Sequence, residues 1–241
     1  MIDVSSKKRI VLKLGTSTLT HKTGKLNIRR MTNLVRILSD LHNAGKELLL
    51  VSSGAVGMGV GKLNLPERPK DTPSKQAAAA VGQCELMHIY DDMFSKYNVT
   101  VAQILLTRAT LTNERLPHVQ NTIGRLLEMG VIPIVNENDT VAIDELELEI
   151  GENDSLSATV AAAVGADLLI ILSDINGLYS ADPRTDANAQ VIREVRKIDA
   201  RIEQMAGGAG SALGSGGMAT KINAAKIATE AGLSLIHISE P

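Results

Sequence analysis

One alternation limits what this chain can fold into: short, solidly apolar runs take turns with longer stretches whose apolar residues recur at helical spacing. The runs cover residues 9–14, 47–51, 99–106, 131–135 and 167–172, and Val, Ile and Leu dominate them. Strands that read as continuous apolar runs are buried on both faces, the habit of a parallel sheet covered by helices. Between the first two runs, Ile28, Met31, Leu34, Val35, Leu38 and Leu41 repeat at helical spacing, with Asn27 placed to cap the helix and Gly45 to stop it. Residues 74–96, 113–129, 153–164 and 218–231 read as further helices. This β-α-β-α order predicts an open α/β sheet with helices on both faces. Residues 141–150, VAIDELELEI, alternate apolar and acidic and read as an excursion with one exposed face, a hairpin.

Composition narrows the function by exclusion. A length of 241 residues allows one large domain or two fused lobes. A net charge of -2 gives no basic face for nucleic acid, and one Phe, three Tyr and no Trp give no platform for stacking bases. The single cysteine, Cys84, cannot form an intrachain disulfide and fits a reducing compartment; it reads as a small core residue or a reactive thiol. The start, MIDVSSKKRIVLKLG, has no long apolar run, so neither a signal peptide nor a membrane anchor is expected, and a cytoplasmic location is.

Open α/β sheets bind ligands at the carboxyl ends of their strands, and the polar clusters of this chain fall there. Lys13-Leu14-Gly15 closes the first strand: a lysine that meets an anion, with Gly15 admitting its close approach, or one that snorkels to the rim. Ser52-Ser53-Gly54-Ala55 reads as a helix start holding a carboxylate or phosphate, or as a plain serine cap. Asn136-Glu137-Asn138-Asp139 could grip an ammonium and a carboxylate together or merely form an Asx turn. Gly151-Glu152-Asn153-Asp154-Ser155 opens a helix, where acids are also ordinary partners of the helix dipole. Residues 207–217, GGAGSALGSGG, lead into Ser215-Gly216-Gly217-Met218-Ala219-Thr220-Lys221, a phosphate cradle or a surface linker. Ser173-Asp174 ends a strand as a polar edge suited to a ribose or base, or as a simple turn.

The absences are informative. There is no P-loop, no correctly spaced G-x-G-x-x-G and no nucleophile elbow, and the histidines at 21, 42, 88, 118 and 237 lack metal-ligand spacing. Phosphoryl transfer to a carboxylate needs none of these, because an acceptor with a free pKa of about 4.3 is already ionised. Its physical problem is bringing two anions together, which lysines, amide N–H groups and Mg²⁺ solve by position and charge.

The ordered set VLKLGTS, VSSGAVGMG, SKQAAAAVGQ, LLTR, VNENDTVA, GENDSLSA, LSDINGLYSADPR and GSGGMATKINAAKIA resembles the amino acid kinase family, and in particular its glutamate-phosphorylating branch, over about residues 9–232. The resemblance implies a three-layer α/β/α sandwich around a mainly parallel open sheet. It implies transfer of the terminal phosphoryl group of ATP to the side-chain carboxylate of L-glutamate, the first step of proline biosynthesis. A kinase for acetylglutamate or aspartate, or a non-catalytic nucleotide- or amino-acid-binding fragment, are the alternatives. Lys13 and Lys221 match the lysines that neutralise the moving phosphoryl group, and Asp154 the acid that organises them. Ser53, Gly54, Asn136, Asp139 and Asn153 fall on substrate-binding positions. Lys13, Gly15, Ser173, Asp174, Ser215, Gly216, Gly217, Met218, Ala219, Thr220 and Lys221 fall on ATP-binding ones. Mg²⁺ is expected to be held mainly by the ATP phosphates, and Glu152, where aspartate is common, is a candidate contact. A homodimer or homotetramer is implied. Residues 1–233 are expected to form the kinase domain without its last strand and helix, followed by a non-native tail, SLIHISEP, at 234–241 and no PUA domain.

Overall fold

The computed structural model describes residues 3–21, 25–112, 114–141, 153–173, 177–181, 186, 188–206 and 217–239. Its elements run β1 (Arg9–Leu14), α1 (Thr16–Leu19), α2 (Ile28–Asn43), β2 (Glu47–Ser52), α3 (Ala55–Lys62), α4 (Thr72–Ser95), β3 (Thr100–Leu106), α5 (Leu116–Glu128), β4 (Val131–Glu137), α6 (Asn153–Ala163), β5 (Leu168–Ser173), β6 (Leu178–Tyr179), β7 (Val191–Ile192), α7 (Ala200–Ala206), α8 (Met218–Glu230) and β8 (Ser234–Ser239). Six strands form one sheet in the order β3-β4-β2-β1-β5-β8, and every neighbouring pair is parallel. β6 and β7 form a separate antiparallel pair.

The apolar runs become strands because both of their faces are covered. Alternate residues of β1, β2, β4 and β5 (Ile10, Leu12, Leu48, Leu50, Ile132, Ile134, Leu168) pack with Met31, Val35 and Leu38 of α2 and Leu86, Tyr90 and Phe94 of α4. The intervening set (Val11, Leu49, Val51, Val135, Leu169, Ile171) packs with Ile123 of α5, Leu156 and Val160 of α6, and Ala224 and Ala228 of α8. These are the two interfaces of an α/β/α sandwich.

Local signals hold where they were read. Asn27 caps α2, its side chain accepting from the Arg30 N–H at 3.2 Å, and Gly45 follows the helix at φ +92°. Asp167 pins the start of β1 beside β5, one carboxylate oxygen accepting from the N–H groups of Lys8 and Arg9 at 2.8 Å each. Helices α3 and α4 approach so closely that a Cβ on Gly59 would lie 1.8 Å from the Ala78 carbonyl oxygen, and one on Gly82 equally near that of Ala55. Only glycine fits at either place.

The sequence reading expects no strand after Gly232, and here the structure differs. Ser234–Ser239 pair with Leu168–Ser173 in parallel register as the outer strand β8. The reason is local alternation: Leu235 packs toward the α5/α6/α8 layer and Ile236 toward the α2/α4 layer, so the segment suits a sheet position covered on both sides. The hairpin read for residues 141–150 lies, beyond Val141, outside the described residues. Among the described residues, no helix is long and apolar enough to cross a membrane.

Candidate functional site

In a parallel sheet all strands end on one side, so the polar residues that close the apolar runs must gather there. Lys13 is the penultimate residue of β1, Ser52 the last of β2, Asn136 the penultimate of β4 and Ser173 the last of β5. Gly54 caps α3 at φ +104°, Asn153 opens α6, and Gly217 caps α8, whose first turn carries Met218, Ala219, Thr220 and Lys221. Asp139 follows β4 by two residues and is half-buried. Asp174, Ser215, Gly216 and Glu152 lie outside the described residues.

Strand alternation decides which layer each of these side chains meets. Lys13 continues the Val11 row of β1, toward α6 and α8. There its ammonium lies 2.8 Å from Oδ1 of Asp154, while Lys221 of α8 donates to Oδ2 of the same carboxylate at 3.1 Å. The side chains of Lys13, Lys221 and Asp154 are only 12%, 8% and 1% exposed. The Thr220 hydroxyl lies 3.2 Å from the same Oδ2 and 2.7 Å from the Gly217 carbonyl oxygen, within hydrogen-bonding reach of both. Burial pushes the Asp154 carboxyl up, but the two ammonium groups outweigh that push and hold it below the ordinary aspartate value. The trio therefore carries one net positive charge at a largely buried place, an arrangement that attracts a phosphoryl group.

The other polar set is neutral. The Asn153 amide donates to the Ser52 carbonyl oxygen at 2.9 Å, to Ser53 Oγ at 2.5 Å and to Asn136 Oδ1 at 3.3 Å. Asn136 in turn donates to Gln83 Oε1 at 2.9 Å, and Gln83 donates to Gln103 Oε1 at 3.0 Å. Among the described residues, buried Asn153 Oδ1 meets no hydrogen-bond partner. An acceptor of this kind suits a ligand's N–H donor.

The structure thus brings together Lys13, Asp154 and Lys221, the first and last of them 208 positions apart, and joins Ser53, Asn136 and Asn153 in a second cluster across the ends of β2 and β4. Gln83, Gln103 and Tyr90, whose hydroxyl lies 2.9 Å from Ser52 Oγ, support that second cluster, and none of the three is a site candidate on sequence grounds. SKQAAAAVGQ and VSSG contain Gln83 and Ser52, but nothing in their spacing tells which strand end each side chain would meet. Among the described residues no three His, Cys, Asp or Glu side chains group together to hold a metal.

The profile of the Amino acid kinase family matches residues 8–238. The chain is 56% identical over 232 residues to a protein of Clostridium perfringens named "Glutamate 5-kinase", covering 95% of this chain and 86% of that one. A protein of the same name from Clostridium acetobutylicum is 53% identical over 234 residues, covering 97% and 87%. A longer one from Carboxydothermus hydrogenoformans is 54% identical over 231 residues, covering 95% and 62%. Two solved structures share the fold at 14% identity. Carbamate kinase from Giardia lamblia bound to AMP-PNP matches with a TM-score of 0.67 over 98% of this chain and 93% of its own. UMP kinase from Ureaplasma parvum matches with a TM-score of 0.62 over 97% and 90%. With a family match across residues 8–238 and relatives 53–56% identical of which it covers 86–87%, the chain belongs to the amino acid kinase family.

Proposed function

We propose that this chain is a glutamate 5-kinase: it transfers the terminal phosphoryl group of ATP to the side-chain carboxylate of L-glutamate, giving ADP and L-glutamyl 5-phosphate, the first step of proline biosynthesis. The observation that carries the reading is the shared carboxylate of Asp154, which draws Lys13 and Lys221 together beside a neutral cluster of Ser53, Asn136 and Asn153. Relatives bearing that activity in their names, 51–56% identical, support it.

A γ-carboxylate oxygen attacks the terminal phosphorus; a new P–O bond forms as the bond to the ADP oxygen breaks, and ADP leaves with that electron pair. No proton need be removed from the acceptor, so the protein's task is position and charge. Lys13 and Lys221 offset the repulsion between carboxylate and triphosphate. Asp154 keeps both ammonium groups aimed at one point. Ser53, Gly54, Asn136, Asp139 and Asn153 seat the amino acid, with Asp139 facing its ammonium group. Gly15, Ser173, Asp174 and residues 215–221 seat the nucleotide. ATP enters as its Mg²⁺ complex, with the ion riding on the phosphates. The working form is a homodimer or homotetramer, which sedimentation would read.

Hydroxylamine trapping provides the test. With MgATP present, glutamate should yield the acyl hydroxamate, and aspartate or acetylglutamate should yield far less. Release of ADP that does not depend on glutamate would overturn the assignment.

A further inference from the structure

We infer that Tyr90 is a positioning residue for the acceptor half of the site: through Ser52, its hydroxyl holds the end of β2 where Ser53 and Asn153 meet the substrate. The inference rests on the function proposed above and adds to it a residue that touches no substrate. On β2 the row Leu48, Leu50, Ser52 faces the α2/α4 layer, so a third apolar residue would be the simplest way to finish it. Ser52 stands there instead, fully buried, with its hydroxyl 2.9 Å from that of Tyr90 on α4. Tyr90 is itself fully buried, and its ring stacks on Phe94 with centroids 6.3 Å apart. A leucine and a phenylalanine would fill this space with no hydrogen bond to satisfy. The polar pair does what they could not: it ties a strand end to a helix in one direction.

What lies on the other side of Ser52 gives the tether its meaning. The Ser52 carbonyl oxygen accepts from Asn153, and the next residue's hydroxyl, Ser53 Oγ, accepts from the same amide group. The Ser53 N–H donates to the Leu14 carbonyl oxygen at 3.1 Å, next to Lys13. A rotation of the Ser52 peptide would move Ser53 and Asn153 together, and Tyr90 opposes that rotation. Burial pushes the Tyr90 phenol above its ordinary pKa, against a weaker opposing pull from Ser52, so the contact stays neutral wherever the enzyme works. Seven residues earlier on the same helix, Gln83 takes the Asn136 amide in the same fashion. Helix α4 thereby holds the ends of both β2 and β4.

Steady-state kinetics with glutamate and MgATP varied separately would test this on the full chain, Tyr90→Phe, Ser52→Ala and the double variant. Loss of one neutral hydrogen bond should raise the KM for glutamate about threefold to tenfold in each single variant, with kcat and the KM for MgATP changed less than about twofold. The double variant should be no worse than the poorer single one, because both remove the same tether. An unchanged glutamate KM in Tyr90→Phe, an equal rise in the MgATP KM, or effects that multiply in the double variant would each overturn the inference. A parent chain with no glutamate-dependent turnover would overturn the proposed function and this inference together; normal parent turnover with an indifferent Tyr90→Phe would overturn this inference alone.

Discussion

The two halves of the candidate site stand at the ends of one sheet's strands yet are built by opposite means. Toward α6 and α8, one buried carboxylate holds two ammonium groups, with the Thr220 hydroxyl in reach of the same oxygen as Lys221. Toward α4, amides and hydroxyls are linked one to the next, from Asn153 through Asn136 and Gln83 to Gln103, with no ionised group among them. The period of two along a strand produces this division: Lys13 falls on one face of the sheet, and Ser52 and Asn136 on the other. The difference matches two tasks. A transfer site needs uncancelled positive charge at low dielectric, whereas a seat for an amino acid needs hydrogen-bonding groups fixed in direction.

The comparison can be broken most forcefully at Asp154. In Asp154→Ala two nearly buried ammonium groups lose their shared counter-charge, and stability should fall by about 3–5 kcal/mol, read from urea unfolding at neutral pH. A loss under about 1 kcal/mol would mean that the lysines find water or one another's carbonyl groups instead. Next come Lys13→Ala and Lys221→Ala. Each should lower kcat about a hundredfold to a thousandfold with the glutamate KM nearly unchanged, as expected when transition-state charge loses a donor. The reverse pattern would erase the distinction between the halves. On the acceptor side, where Asp139 adds a carboxylate beside the amide cluster, Asp139→Ala should raise the glutamate KM about tenfold and leave the MgATP KM alone; a shift confined to MgATP would move Asp139 to the other half.

The smallest effect sharpens the comparison by pH. The folded Asp154 pKa lies below its ordinary value of 3.8, so the stability it contributes is fully present above that value and is lost as pH falls through the lower, folded one. Asp154 therefore remains ionised wherever the acceptor is, and the acid limb of kcat/KM should follow the substrate carboxylate, near its free pKa of about 4.3. The stability gap between the native chain and Asp154→Asn should stay constant at neutral pH and close only below about pH 4. An acid limb that moves in Asp154→Asn would show that the aspartate, not the acceptor, titrates.

The sheet was legible because its strands are apolar on both faces, and β1 to β5 lie within two residues of the runs at 9–14, 47–51, 99–106, 131–135 and 167–172. Helix α2 was legible from the positions of Asn27 and Gly45. The two lysines were legible from their places beside glycine-bearing turns and from the family resemblance, Asp154 from the resemblance alone, and the geometry sets both lysines on its carboxylate. Apart from β8, whose segment was read as a non-native tail, what escaped the sequence is short or relational. β6 and β7 span two residues each and α1 four, too few for a period to register. Gln83 and Gln103 meet only because Gln103 pairs with Ile134, which faces α4, and that register is set by the whole sheet.

The carboxylate that joins Lys13 to Lys221 makes turnover a gauge of tertiary completeness. Its three members belong to the first strand, the sixth helix and the eighth, so a species with most of its helices formed but with α8 undocked would pass inspection by circular dichroism and still be silent in a kinase assay. Activity should therefore vanish ahead of helicity along any unfolding route that begins by releasing α8.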